Sequence, residues 1–347
     1  MTDPPLILGI ESTCDETAAS VVAGGADVLS SVVASQVDLH ARFGGVVPEI
    51  ASRAHVEAVN TVIDAALAEA KVAGEDLHAV AVAHEPGLIG SLLVGLMAAK
   101  TLAWAWGKPL VPVNHVYAHA YSPALDAEAI DYPAAALICS GGHTALYRCA
   151  GPMELDLLGS TIDDAAGEAF DKVASILGLG YPGGPVIDRL AREGDPKAVD
   201  FPRSMMKGDS LEFSFSGLKT AVLYHVHGVP GSREADGQRA GRLDAKQKAD
   251  IAASFQQAVV DVLVAKLGRA AEAIDAASLV IGGGVSANSG LRSAAGELAE
   301  RTGRKLRVPP LKYCVDNAAM TAGLAAHLLA EGFTSGWDLT ARATVRR

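Results

Sequence analysis

Positive charge is what this sequence has least of: 29 Lys and Arg face 40 Asp and Glu, a formal net charge of −11 over 347 residues. Phosphate contacts need cations, so binding of nucleic acid through the overall field is excluded and only local patches stay open. The best patch is Arg301, Arg304, Lys305 and Arg307 with Arg342, Arg346 and Arg347, which reads equally as a solvated basic face. Cysteine is also scarce. Cys14, Cys139, Cys149 and Cys314 are dispersed without a C-x-x-C pair, so neither a disulfide scaffold nor a thiolate zinc site is indicated and reduced thiols are expected. No basic region precedes the first apolar run, which reaches Glu11 within a few residues, so no signal peptide or anchor is expected. Gly87 to Trp106 is apolar but holds Lys100 and opens on Pro86-Gly87, as a buried helix would. A cytoplasmic protein without membrane association is expected. Aromatics are few at 5%, while a 50% hydrophobic content suits a large core of stacked helices and buried strands in two lobes.

Val113-Asn114-His115-Val116-Tyr117-Ala118-His119 follows the apolar run Leu110 to Val113 and presents two imidazoles four residues apart. On a helix those positions share a face, about 5–6 Å apart at Cβ, and both rings reach one metal ion. The same spacing also suits one core histidine and a bystander.

Around this stretch the chain alternates strands and helices. Leu6 to Ile10, Ala18 to Ala23 and Val28 to Ala34 read as a strand meander whose first turn carries Glu11, Asp15 and Glu16. Such a turn could orient a metal, a water or a phosphate-bearing ligand, or be an ordinary polar loop. Ala134 to Cys139, Thr144 to Cys149 and Met153 to Leu158 repeat the pattern around Ser140-Gly141-Gly142, a phosphate or carbonyl cradle or else a tight hairpin. Two like meanders suggest two related lobes facing a cleft. Between them, Pro48 to Val72 has helical periodicity, and Ala79 to Ala83 leads through a glycine turn into a helix, so the class is α/β.

Asp163 to Leu177 is expected to be a helix with Asp163 and Asp164 in its first turn, followed after Tyr181-Pro182-Gly183-Gly184-Pro185 by one with Asp188 in its first turn. The stretch from about His225 to Lys248 looks like a surface insertion. A long helix over Ala252 to Ile274 precedes a strand, Leu279 to Ile281, and then Gly282-Gly283-Gly284-Val285-Ser286-Ala287-Asn288, a strand-glycine-helix arrangement that suits nucleotides. Asn288 could bond a ribose or cap a helix. Asp316 opens a final helix, where capping is its ordinary role.

As a set, Gly9-Ile10-Glu11-Ser12-Thr13-Cys14-Asp15-Glu16-Thr17, Gly44-Gly45-Val46-Val47-Pro48-Glu49, His115 and His119, Ser140-Gly141-Gly142-His143-Thr144, Asp163 to Lys172, Tyr181 to Pro185, Phe213-Ser214-Phe215-Ser216-Gly217-Leu218-Lys219, Gly283 to Asn288 and Asp316-Asn317 closely resemble the tRNA N6-adenosine threonylcarbamoyltransferase family, once called O-sialoglycoprotein endopeptidase. The resemblance covers nearly the whole chain. It implies an actin-like, Hsp70-like (ASKHA) fold with lobes over 1–133 and 134–347 and nucleotide in the cleft. It also implies that His115, His119 and Asp316 bind a metal, iron(II) or sometimes zinc, and that Ile138, Cys139, Ser140, Gly141, Gly142, Asp171, Gly184, Asp188 and Asn288 bind threonylcarbamoyl-AMP. The sequence departs from relatives at Asn114, often His, and at Val116-Tyr117; neither departure touches a ligand.

The implied reaction is attack of the exocyclic amine of the tRNA adenosine beside the anticodon on the carbamoyl carbon of threonylcarbamoyl-AMP, with AMP leaving. Asp15 or Glu16 is the candidate to receive the amine proton or orient water. The implied partners are tRNA, a paralogous subunit of the same fold and a small P-loop ATPase. A metallopeptidase is the rival, but H-E-x-x-H needs Glu directly after the first His, and Val116 stands there. An Hsp70-like ATPase is a third reading, which predicts ATP turnover without tRNA.

Overall fold

The computed structural model describes residues 4–229 and 243–344. In chain order, β1 (Leu6–Glu11), β2 (Glu16–Ala23) and β3 (Asp27–Ser35) form the first meander, followed by α1 (Val37–Ala41), α2 (Pro48–Ala70), β4 (Ala79–Glu85), α3 (Ile89–Ala105), β5 (Leu110–Asn114) and α4 (His115–Tyr121). The second meander is β6 (Ala134–Cys139), β7 (Thr144–Gly151) and β8 (Glu154–Ser160). Then come α5 (Ala166–Ile176), α6 (Gly183–Ala191), α7 (Ser216–His227), α8 (Ala245–Ala273), β9 (Ser278–Gly282), α9 (Ser289–Thr302), β10 (Lys305–Arg307) and α10 (Ala318–Ala330).

The two meanders seed sheets of one topology. The first sheet runs β3-β2-β1-β4-β5 and the second β8-β7-β6-β9-β10. β1, β2 and β3 pair antiparallel, as do β6 and β7, and in each sheet the later strands join parallel. Parallel neighbours need helical crossovers, which α2 and α3 supply in the first sheet and α9 supplies between β9 and β10. Buried on both faces, β1, β4 and β6 read as continuous apolar runs instead of alternating ones.

The chain divides into two compact units, and the division departs from the expected boundary at 133/134. One unit comprises the described residues of Met1–Ile130, Ala150–Leu155 and Val308–Arg347; the other is Asp131–Cys149 and Asp156–Arg307. The C-terminal segment thus belongs to the first unit, because α10 packs on β1 and β2 there. Gly9 sets that approach: a Cβ on it would lie 2.4 Å from the Ala318 carbonyl oxygen and 2.8 Å from the Ala322 nitrogen. On the other face, Val59, Val62 and Ile63 of α2 and Leu96, Ala99 and Ala103 of α3 join Leu8, Ile10, Val80 and Val82 in the core.

Three local expectations are corrected. The helix expected from Asp163 begins at Ala166, since Asp163 and Asp164 have partners elsewhere. Asp188 is not in the first turn of its helix, because α6 starts at Gly183. The expected insertion shrinks, since α7 runs to His227 and α8 starts at Ala245, where Asp244 accepts from the Gln247 N–H at 2.8 Å. Residues 230–242 of it, with Arg346 and Arg347 of the expected basic patch, lie outside the described residues. One described helix, α8, is long and apolar enough to cross a membrane, but 78% of its most apolar window is buried within the protein, as in a core helix.

Gly9→Ala should therefore push α10 off β1. The expected cost is about 1–3 kcal/mol, typical of an overpacked core, read as a lowered urea midpoint with the slope kept.

Candidate metal centre and adenylate site

The metal candidates come together within the first unit. β5 runs straight into α4, whose N-cap Asn114 accepts from the Val116 and Tyr117 N–H groups at 2.9 and 3.2 Å. That cap starts the helix at His115 and puts His119 one turn on. Their rings meet edge to face, centroids 4.6 Å apart, and both are buried. Asp316 faces them because it does not cap α10, contrary to its ordinary role: Asn317 does, accepting from the Met320 N–H at 3.0 Å. Asp316 Oδ1 stands 2.9 Å from His119 Nε2 and 3.4 Å from His115 Nε2.

These distances fit a shared ion. Ligands bonded at about 2.1 Å to one centre lie about 3.0–3.4 Å from each other, and the three ligand atoms here are all within 4.8 Å of one another. Neither lysine nor arginine is paired with Asp316 among the described residues, and two imidazoles with one carboxylate suit iron or zinc. Burial would lower the His115 pKa, but the Asp316 and Glu11 charges outweigh it and hold the ring well above its ordinary 6.5. Burial opposes ionisation of Asp316 as well, and the two histidines overcome that, keeping its carboxyl well below 3.8.

Asp15 and Glu16 belong to the same unit. Asp15 lies in the β1–β2 turn, its carbonyl accepting the Gln36 N–H at 3.0 Å. Glu16 opens β2; burial, then the charges of Asp316 and Asp15, push its carboxyl up to about 9. His55 braces the turn from α2, with Nε2 3.0 Å from the Cys14 carbonyl and Nδ1 2.7 Å from Thr17 Oγ1. Glu11, expected in the turn, is instead the fully buried last residue of β1, against His115. Sequence reasoning gave it a role only as one carboxylate of a turn that could orient a metal, a water or a phosphate-bearing ligand.

The adenylate candidates fall in the second unit, joined by a chain of contacts. Ile138 and Cys139 end β6 beside β9, where Ile138 pairs with Gly282. Gly283, at φ +84°, comes so close that a Cβ would lie 2.3 Å from the Cys139 carbonyl oxygen. Ser140 accepts from the Gly167 N–H at 3.3 Å, while Gly141 and Gly142 have open space at their Cα atoms. Asp171 accepts the Gly183 N–H at 2.7 Å, next to Gly184. Asp188 Oδ1 takes the Ser289 hydroxyl at 2.7 Å and its N–H at 3.1 Å. Asn288 caps α9 through the Leu291 N–H and donates to Gln256 Oε1 at 2.7 Å, so the bland role expected for it is occupied.

Asp163 and Asp164 do something the sequence did not show. Asp163 receives the Ser214 and Ser216 hydroxyls at 2.6 and 2.7 Å and the Phe215 and Ser216 N–H groups at 2.9 and 3.3 Å. Asp164 pairs with Lys172 and Lys219 at 2.8 and 2.7 Å. Together they pin the Phe213 to Lys219 motif beside the start of α5.

Two sheets of one topology define an actin-like α/β protein of the ASKHA class, here with a His₂-carboxylate cluster. Solved structures agree on the fold: HypF from T. kodakarensis aligns with TM-score 0.61 at 14% identity over 95% of this chain and 48% of that one. Component A of the (R)-2-hydroxyglutaryl-CoA dehydratase of Acidaminococcus fermentans gives 0.53 at 15% identity, over 94% and 99%. The profile of the tRNA N6-adenosine threonylcarbamoyltransferase (TsaD) family matches residues 27–323. Proteins of that name from Symbiobacterium thermophilum and Anaeromyxobacter dehalogenans (strain 2CP-C) are 53% and 52% identical, over 97% and 96% of this chain and 95% and 97% of theirs. The chain belongs to this family of tRNA-modifying transferases.

Burial raises the Asp163 pKa, but the Ser214 and Ser216 hydroxyls and the two amides win, so it sits below its ordinary 3.8. Its contribution to stability is then full above that ordinary value and lost as pH falls through the lower folded one. Asp163→Asn should flatten this acid limb, measured by thermal midpoints between pH 5 and about pH 2.5.

Proposed function

We propose that the chain transfers the threonylcarbamoyl group of threonylcarbamoyl-AMP to N6 of the adenosine beside the anticodon in tRNAs reading codons that begin with A, releasing AMP. Family membership supports the reaction class, and the observation that carries the mechanism is the convergence of His115 and His119 on Asp316. The attacking amine is weak, its lone pair delocalised into the purine, so the site must align the reactants and stabilise developing negative charge. Iron(II), or zinc, held by His115, His119 and Asp316 would act as a Lewis acid on a substrate oxygen. The open backbone at Gly141 and Gly142, next to Ser140, is suited to the acyl-adenylate, with Asp171, Gly184, Asp188 and Asn288 completing the proposed set. Burial, before the charges beside it, keeps the proton on Glu16 at neutral pH, so of the two candidates Asp15 is the one proposed to accept the amine proton.

The peptidase reading lacks its base, since the residue after His115 is the buried Val116. In the transferase, AMP release requires tRNA. Incubation of the chain with tRNA, threonylcarbamoyl-AMP and iron(II), together with its partners, should give the modified nucleoside by mass. His115→Ala should lose both bound metal and at least about a hundredfold in transfer, a scale set by loss of charge stabilisation. Full metal content with full transfer in that variant would overturn the mechanism.

The cytoplasmic partners in this proposal are a paralogous subunit of the same fold and a small P-loop ATPase. On α3, Ile89, Leu93, Met97 and Trp104 are 49, 47, 55 and 72% exposed, with Val56 of α2 at 63%. Their spacing makes one apolar face, and the partner assigned to it is the paralogous subunit. Met97→Asp should abolish co-sedimentation with that subunit and leave the thermal midpoint of the isolated chain unchanged.

A further inference from the structure

We infer that Glu11 is a positioning residue that keeps a proton on His115 Nδ1 and so aims the Nε2 lone pair at the metal position beside Asp316. Glu11 is completely buried at the end of β1, and its one ion-pair partner among the described residues is His115. A carboxylate so placed persists only where donors compensate its lost hydration. Three do: the Thr13 N–H reaches Oε1 at 3.0 Å, the Thr321 hydroxyl Oε2 at 3.1 Å, and His115 Nδ1 stands 3.2 Å from Oε2. The first two fix the carboxylate without help from the histidine, so the oxygen is already in place for the ring.

The orientation follows from donor chemistry. An anionic carboxylate only accepts, so the nitrogen facing it carries hydrogen, and in the neutral ring the other nitrogen is then the free ligand. That other nitrogen, Nε2, faces Asp316 Oδ1, where a cation between the two would take the place of the Nε2 proton, while Nδ1 keeps the hydrogen that Glu11 holds. Metal-binding histidines commonly depend on such a carboxylate behind them. Thr13 ties the two ligands further, its hydroxyl 3.3 Å from His115 Nδ1 and 3.4 Å from Asp316 Oδ2. His119 has no comparable support: its Nδ1 is buried without a hydrogen-bond partner among the described residues. The burden of a preset ligand thus falls on His115 and on Glu11 behind it.

The inference rests on the triad as a metal site, and Zn2+ serves as probe with the full chain. Long-range 1H–15N spectra of the 15N-histidine-labelled, Zn2+-loaded protein should show His115 protonated at Nδ1 and metal-bound at Nε2; the reverse assignment overturns the inference. In Glu11→Gln a single amide oxygen faces three donors, so competition with a chromogenic chelator should show Zn2+ affinity lowered about 10–100-fold. Should that variant fail to fold, Thr321→Val decides, with a several-fold loss of affinity expected at an unchanged fold by circular dichroism. Unaltered affinity in the folded variant sinks the inference while leaving the metal site standing. A wild-type chain that binds no Zn2+ sinks the metal site, and the inference with it.

Discussion

The close approach of α10 to β1 is the constraint on which the first unit depends. Gly9 has no side chain, and Ala318 and Ala322 present the least bulk a helix can offer, so the two backbones nearly touch. That contact carries Thr321 to Glu11 and brings the start of α10 to the histidines. Capping then decides what Asp316 can do. Every helix start leaves N–H groups needing an acceptor, and Asn317 meets that need at α10, which frees the preceding carboxylate for chemistry. One residue's shift in the cap would convert a ligand into a structural staple.

The second unit uses its acids in the opposite way. Asp163, Asp164 and Asp188 each spend their oxygens on local donors: hydroxyls and amides for Asp163, lysines for Asp164, and Ser289 with Arg192 for Asp188. Negative charge is thereby tied to local donors, while Gly141, Gly142 and Gly184 leave open space at their Cα atoms, which within the proposal suits an anionic adenylate. A buried lysine, Lys266, donates to the Ser210 and Glu212 carbonyls and lies 5.3 Å from the Phe213 ring, stiffening the same loop.

Much of the fold was legible because buried strands write themselves as apolar runs: β1, β2, β3, β6, β7 and β9 fall within a few residues of expectation. The histidine pair was legible for a similar reason, since i and i+4 on a helix is a local relation. What the sequence hid were relations across long loops. Asp163 meets Ser214 across 51 residues; His119 meets Asp316 across 197, a relation that only the family resemblance implied and no local pattern carried. Local propensity placed Asp163 inside a helix and Asp316 at a cap, and tertiary partners overrode both. Likewise, no local signal says that the last helix returns to the first sheet. Glu11 read only as one acid of a polar turn, since burial of a carboxylate is visible only with its donors.

The scarcity of positive charge has a structural sequel. Of the cations expected to form a basic patch, Lys305 and Arg307 both pair with Asp131 at 3.0 Å, Arg342 reaches Glu85 at 3.3 Å, and Arg304 Nε is held by the Ala276 carbonyl at 2.9 Å. A phosphate meeting these groups must compete with acceptors already in place, and each partly neutralised cation releases less from the counterion atmosphere of RNA. That is the physical ground for assigning part of tRNA positioning, within the proposal, to partner proteins: the chain supplies an acidic, metal-ready site for the transfer, and the field that draws RNA toward it has to come largely from elsewhere.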